Sequence, residues 1–371
     1  MTAAGPLSTL PVMRERVMGL VRGEGGGVVT TADLERIGVG PAVLRTLQRD
    51  GVLTRVARGV YADAARLDPP AEEVARRGRA DVAKEAHLLR LDAVLRSYGA
   101  AVGASHQSAA LAWGLPVLVA HLGRVHLART RPGGTGRRHE AFTIHRCEHE
   151  DAFTELGGRT LVVPALAVLG TALQGGLEAG VVTADGALRD GRTTLAELVE
   201  WLERLRHHPG LSTARKVVSL ADGSVESPGE SLLRLILIAL GIAFETQHWI
   251  RVADGSYYRV DFYLPELGVV LEFDGLTKYG VGPRRDEASP GWSAGPRAAE
   301  KDPLVAEKVR EDAIRALGFG VGRVVWSGLK EPVVRATVMA VAPQASDRAR
   351  NDVSTPPPWI TQEGQVHDEW W

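Results

Sequence analysis

Residues 260–274 read VDFYLPELGVVLEFD, and the alternation in this stretch decides the fold of the C-terminal third. Two period-two runs, at about 256–264 and 269–274, flank Pro265-Glu266-Leu267-Gly268, a loop of hairpin length. If Leu264 faces Val269 across that loop, Asp261 stands opposite Glu272. Alternation puts Val260, Phe262 and Leu264 on one face and Arg259, Asp261 and Tyr263 on the other. On the second strand Glu272 and Asp274 share a face, opposite Leu271 and Phe273. Three carboxylates then gather on one face of one hairpin. Like charges across strands destabilise a sheet, so packing gives no reason for the arrangement. A divalent cation does: Mg²⁺ (or Mn²⁺) takes carboxylate oxygens, water and substrate phosphate as ligands. Such an ion polarises a phosphate and lowers the pKa of the attacking water. The competing reading is a solvated sheet face whose carboxylates pair with arginines, Arg259 among them, and a register slip of one residue would scatter the cluster.

Working outward, Ser227-Pro228-Gly229-Glu230 makes a capping box with Pro at the first helical position, opening an apolar helix that ends at Gly241. Glu230 is therefore either a cap or a further acid. Asp254-Gly255 is a hairpin turn between strands at 245–252 and 256–264. A Gly/Pro/Arg-rich loop follows at 279–300. A helix then runs from Pro303 to Gly318, and Val321–Trp326 is a last strand. The expected order over 227–330 is αβββαβ. Lys278 follows the acidic strand, and either it or Lys308 could stabilise a leaving oxygen. An i to i+4 surface pair with Asp312 is the plainer role for Lys308.

These pieces resemble the PD-(D/E)XK nuclease superfamily, in particular the branch similar to very-short-patch-repair endonucleases. The matching stretches are Ser227-Pro-Gly-Glu-Ser231, Val260-Asp-Phe-Tyr-Leu-Pro-Glu-Leu267, Leu271-Glu-Phe-Asp-Gly275 and Glu307-Lys-Val-Arg-Glu-Asp312. Leu317-Gly318 ahead of Val321-Gly-Arg-Val-Val-Trp326 also fits. The resemblance implies a restriction-endonuclease-like fold. It gives Asp261 the role of the motif aspartate, Glu272 that of the second metal-binding acid and Glu230 that of the helix glutamate. Val260 stands where the superfamily has its proline and Asp274 where it has its lysine, which leaves Lys278 as the nearest candidate for the lysine role.

At the other end, residues 10–64 read as a winged helix-turn-helix. A helix covers about 12–21, and glycines break it at Gly23 and Gly25–Gly27. Thr30 and Asp33 form a capping box ahead of Leu34 and Ile37. Gly38 and Gly40 make the turn, and Pro41 opens a third helix ending at Gly51. Two short strands, 52–55 and 58–61, form the wing. On the third helix Arg45, Gln48 and Arg49 can read base edges in the major groove. Arg55 and Arg58 on the wing suit phosphates. The alternative is a winged domain used for protein contacts. Together with Gly59-Val-Tyr61, and with Ser105-His-Gln-Ser-Ala-Ala110 and Gly114-Leu-Pro116 further on, this unit resembles the AbiEi family of antitoxins over about 10–220. That resemblance implies operator binding, repression of its own operon and a cognate toxin.

Residues 65–85 alternate Ala with Arg and Glu, as a linker or connecting helix would. The middle region, 86–220, mixes helices and strands, with Val125–Ala128 and Phe142–His145 as strands and Leu195–Leu205 as a helix. Ser105, His106 and Ser108 lack a positioned acid and are read as caps and structure. His121, His126 and His145 lack a tight metal spacing and are read as structural. The loop Arg131-Pro-Gly-Gly-Thr-Gly136 lacks the lysine of a phosphate-binding loop and is read as a basic turn.

The bulk properties bound the rest. The 371 residues allow two or three domains at about 100–200 residues each. A net charge of −1 confines nucleic-acid binding to local basic patches. Cys147 is the single cysteine, so neither an intramolecular disulfide nor a zinc ribbon can form. The best apolar run, Leu235–Leu240, falls short of the roughly 18 residues of a membrane span. The start lacks the pattern of a signal peptide, so the expected location is the cytoplasm. A Pro-rich tail, 342–371, is expected to be disordered. The fold class is thus α/β (α+β overall): a winged helix, a middle α/β region and a nuclease-like domain. The expected function is a double-stranded DNA-binding protein with a metal-dependent endonuclease-like domain. The alternative is a non-catalytic repressor or antitoxin of a type IV toxin–antitoxin system. The oligomeric state is open.

Overall fold

The winged helix is built from α1 (Leu10–Arg22), β1 (Val28–Thr30), α2 (Thr31–Arg36), α3 (Pro41–Arg49), β2 (Leu53–Ala57) and β3 (Val60–Asp63). This is a computed structural model, and the residues it describes are 10–23, 26–205, 208–275, 303–350 and 352. The expected capping box forms: Asp33 N–H donates to Thr30 Oγ1 at 3.1 Å and Thr30 N–H to Asp33 Oδ2 at 2.9 Å. Pro41 takes the first turn of α3, where its missing N–H is no loss. Val17, Val21, Leu34, Leu44, Leu47 and Tyr61 close one core beneath the helices. The antiparallel sheet has the order β1-β3-β2. β1 was not expected, because three residues are too few to show a period. The wing strands lie about two residues later than expected. Arg58 and Gly59 consequently form the wing turn, with Gly59 at φ 71°, instead of opening the second strand.

The stretch at 65–85 is helical: α4 (Ala64–Leu67), α5 (Ala71–Arg77) and the start of α6 (Arg79–Tyr98). Glu85 takes Arg66 at 2.8 Å and also Arg77, which sets α6 against α4 and α5. Arg96, near the end of α6, donates to the Val28 carbonyl of β1 at 2.8 Å. The chain continues through β4 (Val102–Ala104), α7 (His106–Ala112), β5 (Val125–Arg129), β6 (Arg137–Arg138), β7 (Phe142–His145), β8 (Phe153–Leu156) and β9 (Arg159–Val162). These strands form one sheet in the order β6-β7-β5-β4-β9-β8. The two expected strands, β5 and β7, are parallel neighbours, with Ala128 beside His145. Helices α8 (Pro164–Arg189), α9 (Leu195–Arg204) and α10 (Leu211–Leu220) follow. Helix α8 corrects the expectation that no segment approaches a membrane span. By length and composition it is apolar enough, yet 61% of its most apolar window is buried inside the protein. Gly176, at φ 82°, breaks its helical geometry. Its hydrophobicity serves a protein core.

The residues from 222 onward form a second unit, separate from the first, which runs to 221. It contains α11 (Pro228–Ala239), β10 (Glu245–Arg251), β11 (Tyr257–Leu264), β12 (Val269–Asp274), α12 (Pro303–Ala316), β13 (Gly320–Val325), α13 (Glu331–Val341) and α14 (Asp347–Arg350). The sheet order is β10-β11-β12-β13, with β13 parallel to β12 and the other pairs antiparallel. Two cores result. Phe262, Leu264 and Leu271 pack with Leu233 and Leu237 of α11 and Val334 and Val338 of α13. Tyr263 and Val270 pack with Ile314 of α12 and Ala349 of α14. Val260 joins the second core rather than siding with Phe262 and Leu264, so strict alternation does not hold at this point of β11. The expectation of disorder from 342 is corrected for residues 342–350. Ala349 is fully buried, and Tyr263 Oη donates to its carbonyl at 2.6 Å. The remainder of the tail from 353 lies outside the described residues. A methyl group at Gly320 would drive into the Val341 backbone carbonyl, with Val269 Cγ2 at 3.3 Å. Gly320→Ala is therefore expected to cost about 1–3 kcal/mol, read as a lower urea midpoint; an unchanged midpoint would refute this close approach of α13 to β13.

Candidate functional site

The register of the acidic hairpin is the one expected. Leu264 pairs with Val269, Tyr263 with Val270 and Phe262 with Leu271. At the next position the Asp261 carboxylate takes over the ladder, Oδ2 accepting the Phe273 N–H at 2.8 Å. Burial, and then the negative charge of Glu230, push Asp261 from 3.8 up to about 7, against the Phe273 amide and Arg310. Glu272 also lies above the usual carboxylate range, first through burial, with Arg310 opposing. Its Oε1 holds Arg310 Nη2 at 2.6 Å, and Arg323 stands 3.9 Å from Oε2. Glu230 is 6% exposed. Its N–H donates to Ser227 Oγ at 3.2 Å, as one arm of the expected capping box. The other arm goes elsewhere: Glu230 Oε2 accepts from the Glu226 N–H at 3.1 Å and from Gln247 Nε2 at 2.9 Å. Asp274 is half-buried at the end of β12, beside Val325 of β13. Lys278 lies outside the described residues, and Lys308 is exposed on α12.

The cations that meet these acids are ones the sequence reading passed over. Arg310 bonds Glu272 and the Arg259 carbonyl, the latter at 2.8 Å. Arg323 bonds Glu307 at 2.6 Å and Glu311 at 2.9 Å. Arg259, the partner proposed from sequence, pairs with Glu226. The missed signal was the spacing of Glu307, Arg310 and Glu311, which places all three on one helical face. The donor chemistry of Asp261 and Glu272 is that of a Mg²⁺ site, but Arg310 holds the Glu272 oxygen that such an ion would take.

The basic surface of the winged helix is laid out as the sequence suggested. Leu44 and Leu47 of α3 face the core, while Arg45 and Arg49 are exposed and Gln48 half-buried. Positions 45, 48 and 49 fall on one face at i, i+3 and i+4. Arg55 and Arg58 are exposed on the wing. The wing turn is fixed from behind: the Gly59 carbonyl accepts the Thr31 N–H at 2.8 Å, and the Arg58 carbonyl accepts Ser97 Oγ–H at 3.3 Å.

The middle region holds a group that the sequence reading divided wrongly. His126 and His145 come together with His106, and His121 is not among them. Among the described residues, these three alone bring three possible metal-ligand atoms within 4.8 Å of one another. Their separations of about twenty residues show no ligand pattern, because strand pairing brings them together: β5 with β7 in parallel for His126 and His145, and β4 with β5 antiparallel for His106.

A pH test follows from Asp261. A carboxyl whose folded pKa is raised favours folding below its unfolded pKa near 4 and loses that contribution as pH rises through about 7. Asp261→Asn is therefore expected to unfold at higher urea than wild type at pH 8 in chelator, with the gap closing toward pH 4. A gap independent of pH would show that Asp261 is already compensated.

Comparison with known proteins agrees with part of this picture. Two curated Mycobacterium tuberculosis proteins, from strains CDC 1551 and H37Rv and both described as uncharacterized, are each 29% identical to the chain over 171 residues. The match covers 46% of this chain and 56% of each relative, so the chain spans little more than half the length of the curated relatives it matches. Residues 18–62, which run from the middle of α1 to the second strand of the wing, match the family model described as transcriptional regulator, AbiEi antitoxin.

Proposed function

We propose that this chain is a DNA-binding transcriptional regulator of the antitoxin type, with α3 in the major groove of duplex DNA and the wing on the adjacent backbone. The observation that carries this reading is the single basic face of Arg45, Gln48 and Arg49 on a helix whose other face is locked into the core. A helix so presented matches the recognition helix of a helix-turn-helix protein, and the matched family model describes a regulator. Arg45 and Arg49 read base edges, and Arg55 and Arg58 hold phosphates. A cognate toxin would be its protein partner. In this reading the C-terminal unit keeps the nuclease-like fold as a scaffold, consistent with the neutralisation of Glu272 by Arg310. Gel-shift titrations against the DNA upstream of its own operon test it. Arg45→Ala or Arg49→Ala should weaken specific binding by about 1–3 kcal/mol, roughly 5- to 150-fold. Arg58→Ala should weaken all sequences alike and lower the salt dependence by about one phosphate contact. Binding that ignores salt would sink the proposal.

A second reading, favoured by the buried Asp261 carboxylate close to Glu230 and Glu272, is phosphodiester hydrolysis. Asp261 and Glu272, assisted by Asp274 or Glu230, would hold Mg²⁺ or Mn²⁺ once Arg310 turns aside, and the bound ion would polarise the phosphate and activate water. The expected result is metal-dependent cutting of supercoiled plasmid that disappears in both Asp261→Ala and Glu272→Ala. Intact plasmid with folded wild type under both metals would leave the regulator alone standing.

A further inference from the structure

His106, at the start of α7, has φ 52°, a left-handed conformation that costs a residue with a side chain. It is kept there by tight packing: a methyl on Gly170 of α8 would meet His106 Cγ at 2.9 Å and Cα at 3.0 Å. The strain aims the imidazole at two others. The His106 and His145 rings stack with centroids 3.9 Å apart, and His126 Nδ1 lies 2.8 Å from His145 Nε2. His126 is buried, and His106 and His145 are half-buried.

The backbone beneath the rings is fixed by buried polar contacts. Ser108 Oγ accepts the His126 N–H at 2.8 Å and bonds His87 Nε2 at 2.8 Å, while His87 Nδ1 meets the Leu122 carbonyl at 2.8 Å. The Ser105 N–H donates to the His126 carbonyl at 3.0 Å. Ser105 Oγ occupies His106 Nδ1 at 3.0 Å, which leaves Nε2 as that ring's ligand atom. Burial holds all three imidazoles well below their usual titration range, with His126 at about 3 and His145 at about 4.

We propose that His106, His126 and His145 form a transition-metal site for Zn²⁺, with three imidazole ligands and an open fourth position. Three neutral nitrogens without a carboxylate suit zinc and its neighbours and do not suit Mg²⁺ or Ca²⁺. Three protein ligands plus an open position is the pattern of zinc sites that bind water or a further ligand. Nitrogens on tetrahedral Zn²⁺ at about 2.0–2.1 Å lie roughly 3.3–3.4 Å apart. The His126–His145 pair must therefore open by about half an ångström, and the ring carrying the shared hydrogen must move it to its outer nitrogen. Both rings stay neutral, and no proton leaves the protein.

The test is titration of chelator-stripped full-length chain with Co²⁺, followed by visible d–d absorption and displacement by Zn²⁺. Saturation at one ion per chain is expected. His106→Gly removes a ligand while relieving the positive φ, so it should fold as well as wild type and bind far more weakly, beyond the roughly 10–100-fold that loss of an outer-shell partner costs. His145→Gln should behave alike. The site is refuted by no saturable binding to folded wild type or by undiminished binding in both histidine variants.

Discussion

A carboxylate taken out of water needs a counter-charge, a donor or a proton, and the second unit is arranged around that need. Glu230, Asp261 and Glu272 lie on α11, β11 and β12 of the αβββ core, and each is answered differently. Glu230 is answered by the Glu226 amide and Gln247, Asp261 by one backbone amide and Glu272 by a guanidinium. Arg310 can reach Glu272 because α12 crosses the sheet beside β13, and β13 brings Arg323 into register with Glu272. The parallel strand and the helix before it therefore supply the positive charge that the hairpin lacks. Asp261 is left least compensated, because its single amide donor is outweighed by burial and by Glu230.

The elements whose signals are local were legible in the sequence. The capping box at Thr30, the Pro41 start of α3, the Asp254-Gly255 turn and the pairing of Leu264 with Val269 all rest on residues within a few positions of each other. They formed as read. The signals that failed were those that tertiary contact overrides. β1 has three residues and exists because β3 offers it a partner. Val260 leaves its alternate face because Tyr263, Ile250 and Val270 enclose it. Residues 342–350 look like a polar tail in composition, yet one buried alanine and one tyrosine hydroxyl secure them.

The candidate sites divide the same way. Asp261, Glu272 and Glu230 could be found because an antiparallel hairpin and its preceding helix keep a countable register. Arg310, Arg323 and the histidine trio could not: Arg323 and the His126–His145 pair come in through parallel pairings whose register no turn specifies, and Arg310 and His106 come in on helices. His106 also has a positive φ that no sequence pattern marks.

The wing turn has a thermodynamic consequence. Its two carbonyls are bonded to α2 and α6, so its backbone is already ordered in the free protein. A loop ordered only on contact gives up conformational freedom at that moment and subtracts that loss from affinity. Here the loss was incurred on folding, and in the proposed complex only the Arg55 and Arg58 side chains would remain to be immobilised. In a chain of net charge −1, with little general attraction for a polyanion, such preorganisation would let a few arginines suffice in the proposed DNA complex.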